Sequence, residues 1–171
     1  MNTGEMLQEV EKRAEETAQR LVNRLINNKH TLALAESCTG GLVSELITRV
    51  SGASAVFWGS FVCYTPAAKE RMLCIDGGLL TNFGLVSRET AREMALGALR
   101  LSGASLAAAV TGLAGPLGDG GRLPVGTVWT AVAVREGYTV SEREYYFQGS
   151  RAEVRIQAAA AVLEELLQRE L

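Results

Sequence analysis

One serine stands where a nucleophile would be useful. Ser37 lies in the run Glu36-Ser37-Cys38-Thr39-Gly40-Gly41, between a short apolar stretch and a segment of helical spacing. A strand-to-helix break of this kind presents a hydroxyl and free backbone N–H groups at a helix N-terminus, a place suited to an anion or a developing oxyanion. The run is not a Walker A loop, because no GK[ST] follows, and it does not match GxGxxG. The competing reading is plain architecture, with Ser37 capping the helix and Gly40-Gly41 allowing close packing.

A serine nucleophile needs a base, and the choice is narrow. The chain has one histidine, His30, and three lysines, Lys12, Lys29 and Lys69. Seven residues of extended chain, at about 3.3 Å each, put His30 on the order of 20 Å from Ser37, so a Ser-His-acid arrangement is disfavoured. Lys29 fails for the same reason, and Lys12 belongs to the outer face of an amphipathic helix, which leaves Lys69. With Thr65 as N-cap and Pro66 at the first helical position, Tyr64 and Lys69 occupy the two positions whose side chains meet in a hydrophobic staple. The spacing Tyr64-x₄-Lys69 can therefore set a phenol beside an amine. A tyrosine ring packed on a solvated lysine stem is the alternative.

A second small-residue segment, residues 111–121, runs Thr111-Gly112-Leu113-Ala114-Gly115-Pro116 and on through three more glycines. It can wrap a phosphate or ribose, or simply turn a corner. Arg151 and Arg155 stand four apart at the start of the last helix, so both can reach an anion on one face or lie in solvent as ordinary arginines. Metal chemistry has few donors to draw on. With one histidine and cysteines scattered at 38, 63 and 74, a Cys₂His₂ or three-histidine site is impossible, and neither metal nor cofactor is expected.

The elements that must position these groups follow from periodicity. Leu7, Val10, Ala14, Ala18, Leu21 and Leu25 mark an amphipathic helix over about 5–28. Residues 31–35 read as a buried strand, helical spacing resumes through Leu42, Leu46 and Val50, and the β-branched and aromatic run 55–64 reads as a second strand. Helices are expected from Pro66 to about Leu73 and from Ser87 to about Leu101, then a strand over Leu106–Val110. Val125–Val134 and Tyr138–Phe147 form a hairpin around Glu136-Gly137, and Ser150-x-x-Glu153 is a capping-box spacing that opens a helix running nearly to Leu171. Strands and helices that alternate and then give way to a hairpin predict an α/β protein, a single three-layer α/β/α sandwich with a mixed sheet. One domain over residues 1–171 is expected, with the N-terminal helix packed on it.

Composition sets the outer bounds. The chain has 171 residues, 47% hydrophobic and 21% charged, enough to bury a core without disulfides or metals. Seventeen basic against nineteen acidic residues disfavour a nucleic-acid-binding face. No apolar run approaches a membrane span, and the charged N-terminus is unlike a signal peptide. Three cysteines without CxxC spacing read as reduced thiols, and a cytoplasmic location is expected. Trp58, Trp129 and Tyr145-Tyr146 suit a core or subunit contact better than a cofactor box, and a homo-oligomer is expected.

Taken together, AESCTGG, VCYTPAAK, the GLVS turn, TGLAGP followed by PVGTVW, and GSRAEVR resemble the CinA C-terminal domain family, over roughly residues 5–170 and in the same order. That family comprises nicotinamide-nucleotide amidases and is also attached to competence/damage-inducible proteins. The resemblance implies an α/β/α sandwich and a hydrolase that converts nicotinamide mononucleotide to nicotinate mononucleotide and ammonia. It also implies a metal-free Ser/Lys/Tyr centre, falling here on Ser37, Lys69 and Tyr64. Cys38, Thr39, Gly40, Thr111, Gly112 and Gly115 then surround a small-molecule mononucleotide, with its phosphate given to Arg151 or Arg155. One departure is Pro66, where Asn is common in the family.

Overall fold

The computed structural model describes residues 3–169. Along the chain come α1 (Thr3–Asn28), β1 (Leu32–Glu36), α2 (Leu42–Thr48), β2 (Phe57–Val62), α3 (Pro66–Leu73), α4 (Gly77–Phe83), α5 (Arg88–Ser102), β3 (Leu106–Gly112), β4 (Thr127–Val134), β5 (Thr139–Tyr146) and α6 (Arg151–Gln168). The strands form one mixed sheet in the order β2-β1-β3-β4-β5, with β1 parallel to both β2 and β3 and the last three strands antiparallel. This is the expected α/β architecture. The last helix stops at Gln168, and Glu170 and Leu171 lie outside the described residues.

Side chains alternate across a strand, so each strand feeds two cores. Leu32 and Leu34 of β1, with Leu106, Ala108 and Val110 of β3 and Val128 and Val132 of β4, pack beneath α1, α2 and α6. The other face carries alanines instead: Ala33, Ala35, Ala107, Ala109, Ala131 and Ala133. Such a shallow surface lets α5 settle close through Ala91, Ala95 and Ala98. Gly97 of α5 faces the end of α3, where an added Cβ would stand 2.7 Å from the Leu73 carbonyl oxygen. The missing side chain is thus what allows the end of α3, the helix that carries Lys69, to lie close against α5.

Local signals set several boundaries. Thr65 caps α3 through a hydrogen bond from the Ala68 N–H, with Pro66 at the first helical position. Ser87 caps α5, and Ser150 with Glu153 forms a complete capping box on α6. Several elements differ from expectation, with β4 (Thr127–Val134) and β5 (Thr139–Tyr146) shorter by one or two residues at an end and α2 stopping at Thr48. α4 was not foreseen: it opens on two glycines, poor helix formers, and is held by the Asp76 side chain accepting from the Leu79 N–H. β3 runs on to Gly112, pairing with Val128, so Thr111 and Gly112 belong to a strand rather than to the loop that follows. β2 begins only at Phe57, after a 3₁₀ turn at 53–55.

Candidate active site

From β1 the chain turns to β2 on one side and later enters β3 on the other. In open α/β sheets, ligands gather beyond the carboxyl ends of the strands at such a switch point. A cavity of about 440 Å³ lies there, lined in part by Ser37, Cys38, Tyr64, Lys69, Thr111 and Gly112.

The alternation of β1 assigns its last residues to opposite faces. Glu36 falls on the leucine face and Ser37 on the alanine face, continuing Ala33 and Ala35. Glu36 is 1% exposed, and its carboxylate accepts from the N–H groups of Gly41 (3.1 Å), Val43 (3.0 Å) and Ser44 (2.9 Å). The hydroxyls of Thr39 and Ser44 also donate to it. The N-terminal amides of α2, which the sequence offers to a ligand anion, are therefore occupied by the chain's own carboxylate. This role for Glu36 was missed. The available signal was an acid closing an apolar run four residues before Gly40.

Ser37 turns the other way and meets Lys69. Nζ of Lys69 donates to Ser37 Oγ at 2.8 Å and to the Cys63 carbonyl at 2.9 Å. Main-chain bonds hold both partners: Ser37 N–H to the Val110 carbonyl, and Cys63 N–H to the Glu36 carbonyl, each continuing a ladder of the sheet. Lys69 is 1% exposed, and among the described residues it has no ion-pair partner. Burial accordingly holds its amine below the ordinary lysine range. The same burial pushes the Cys38 thiol up to about 12 and the Cys63 thiol upward, so both are inert neighbours rather than rival nucleophiles.

Tyr64 occupies the staple position expected of it, but its phenol finds a different partner. Half exposed, it accepts a 2.7 Å hydrogen bond from Nη2 of Arg151, whose Nη1 donates to the Gly115 carbonyl at 2.7 Å. One guanidinium thus ties the tyrosine to the glycine-rich loop. Nη2 of Arg155 donates to the Thr39 carbonyl at 2.6 Å, and Arg155, Thr39, Gly40 and Gly115 stand outside the cavity lining. Thr111 lines the cavity with its hydroxyl donating to the Leu85 carbonyl, which fixes the GLVS turn against the sheet. Leu80, Leu85, Asp119 and Arg122 also line it and were not singled out from the sequence, because α4 and the fold of the 113–126 loop bring them there. Among the described residues no group of three His, Cys, Asp or Glu side chains is placed to hold a metal ion, and no helix is long and apolar enough to cross a membrane.

Comparison with known proteins gives a consistent result. The CinA C-terminal domain model matches residues 14–170. A CinA-like protein of Geobacter sulfurreducens is 48% identical over 149 residues, covering 86% of this chain and 36% of that protein. The chain thus spans about a third of the length of such relatives. A nicotinamide-nucleotide amidohydrolase PncC of Enterobacter agglomerans is 44% identical over 133 residues, covering 78% of this chain and 80% of that one. Among solved structures, a competence/damage inducible protein of Agrobacterium tumefaciens superposes with a TM-score of 0.87 at 41% identity, covering 92% and 96% of the two chains. A CinA superfamily protein of Klebsiella pneumoniae gives 0.87 at 30% identity, covering 91% and 96%.

Proposed function

The chain belongs to the CinA C-terminal domain family, and on that premise we propose that it is a nicotinamide-nucleotide amidase, hydrolysing the carboxamide of nicotinamide mononucleotide through Ser37. The observation that carries this reading is the 2.8 Å contact between Ser37 Oγ and an amine that burial keeps short of protons. A serine hydroxyl is a weak nucleophile until a neighbouring base takes its proton. A neutral lysine in hydrogen-bond reach is such a base.

Ser37 Oγ attacks the carboxamide carbon while Lys69 Nζ accepts its proton. The oxyanion faces main-chain donors. Gly41, Val43 and Ser44 give their N–H groups to Glu36, while those of Cys38 and Thr39 are outside that set and follow the nucleophile directly. Gly112 adds a third candidate. Leu113 N–H is given to Thr127 on the β4 side, so alternation turns Gly112 N–H toward the end of β1. Lys69 then returns the proton to the leaving nitrogen, ammonia departs, and an acyl-enzyme forms on Ser37. Water, deprotonated by Lys69, attacks the ester and releases nicotinate mononucleotide. Tyr64, held by Arg151, orients the substrate edge or shares the proton path.

Ammonia release from purified protein with nicotinamide mononucleotide tests the reading directly, and exhaustive chelation is expected to leave the rate unchanged. Binding of the mononucleotide without ammonia release would instead make this a nucleotide-binding module, and equal turnover of unrelated amides would make it a less selective amidase.

A further inference from the structure

A mononucleotide brings a phosphate into the site, and three arginines stand near the carboxyl ends of the strands. Arg155 is spent on the Thr39 carbonyl and does not line the cavity. Arg151 does line it, but its Nη1–Nη2 edge is committed to the Gly115 carbonyl and the Tyr64 phenol. Turning that edge to a phosphate would release the tyrosine. Arg122 differs from both. It lines the same cavity, and among the described residues no hydrogen bond or ion pair holds its guanidinium.

The backbone around Arg122 is held where the side chain is not. Asp119 Oδ1 accepts from the main-chain N–H groups of Arg122 and Leu123, each at 3.0 Å, closing a turn that presents the arginine. Arg122 and Asp119, with Thr81, Gly84 and Val86, also line an adjoining cavity of about 540 Å³. The arginine therefore stands at the neck between two hollows, one of which contains Ser37. Among the described residues Asp119 is the one carboxylate in the lining of the Ser37 cavity, and it offsets part of the Arg122 charge, against the two guanidinium groups of Arg122 and Arg151. The balance favours an anionic ligand even with that acid present.

We infer that Arg122 is the phosphate-recognising residue of this site, taking the phosphomonoester of the substrate, while Arg151 is a positioning residue for Tyr64. The inference rests on the amidase reading. An arginine with a free fork can take two phosphate oxygens at once, and its loss removes a charge-assisted pair that the unphosphorylated substrate never makes.

The test compares wild type, Arg122→Gln and Arg122→Lys in ammonia release from nicotinamide mononucleotide and from nicotinamide riboside. The expected result is a roughly tenfold or larger fall, in Arg122→Gln, of the ratio of kcat/KM for the mononucleotide to that for the riboside, carried by KM. Arg122→Lys should recover part of it, since the charge is kept and the fork lost. An unchanged ratio overturns the inference. Calorimetric titration of both compounds into Ser37→Ala and into Ser37→Ala with Arg122→Gln separates the two readings. If wild type releases no ammonia, the amidase reading falls, and the phosphate assignment is still decided by whether Arg122→Gln removes the preference for the phosphorylated ligand. No such preference in Ser37→Ala alone also overturns it.

Discussion

Arg151 Nη2 and the Tyr64 phenol are 87 residues apart in the chain and 2.7 Å apart in space. With Nη1 on the Gly115 carbonyl, the arginine makes a bridge that a lysine, with a compact point charge, cannot reproduce. Arg151→Lys is therefore expected to lower kcat/KM by about tenfold or more, the scale of one hydrogen bond to a charged group. The loss should be equal for nicotinamide mononucleotide and nicotinamide riboside. In a double-mutant cycle with Tyr64→Phe, the two losses should fall short of adding by about 1 kcal/mol or more. Strict additivity would separate the two residues.

Ser37→Ala should abolish turnover and leave circular dichroism unchanged. Lys69→Arg should fail nearly as badly as Lys69→Ala, each by about a thousandfold, because arginine keeps the charge and cannot give up its proton. Since only the neutral amine accepts the Ser37 proton, kcat/KM should rise with pH through an ionisation below the ordinary lysine value of 10.5. A folded Lys69→Arg protein with near wild-type turnover would remove Lys69 from the role of base.

Stability should carry the same ionisation. In the unfolded chain Lys69 holds its proton up to about 10.5, whereas the folded protein gives it up at lower pH. Between those two values the unfolded state binds more protons, so folding stability rises with pH. Below the folded-state value both states are charged and the whole burial penalty applies; above 10.5 neither is. Urea midpoints of wild type and Lys69→Met, followed from neutrality to about pH 10, should converge or cross, with the wild type gaining relative to the variant. Parallel curves would mean the amine is not depressed.

Glu36→Gln replaces an all-acceptor group by one with two N–H donors, set among six donors that need acceptors. At least one main-chain amide of α2 would face an N–H instead of an oxygen. The expected cost is about 3 kcal/mol, or roughly 6–12 °C in Tm for a chain of this size. Loss of ammonia release should accompany it, because Ser37 sits on the same turn. A Glu36→Gln protein as stable as wild type would show the carboxylate to be dispensable.

Much of this architecture was legible because its causes are local. Thr65-Pro66, Ser87 and Ser150-x-x-Glu153 announce their helices through side chains that reach only three residues. The approach of Lys69 to Ser37 followed from scarcity, since no other lysine had a path. What escaped notice depends on distant chain. The Tyr64 phenol turns to an arginine on the last helix, and α4 forms against its own poor propensity because it packs on α5 through Leu80. Arg122 reaches the cavity through a turn made by Asp119, a contact no periodicity encodes. Glu36 was readable in principle, but a glutamate closing an apolar strand reads as its end, not as the anchor of the next helix.

The two walls of the cavity differ in how they are tied down. Ser37 and Cys63 N–H groups extend the hydrogen-bond ladders of the central strands, with acceptors in Val110 and Glu36. To loosen the nucleophile is to open the sheet itself, so that wall shares the slowest cooperative unit of the molecule, the one expected to protect its amides longest from exchange with solvent. The opposite wall is loop, and its residues 117–122 are all exposed. The serine is thus anchored in the sheet, while the arginine assigned to the phosphate stands on an exposed loop whose one local tie among the described residues is the Asp119 turn.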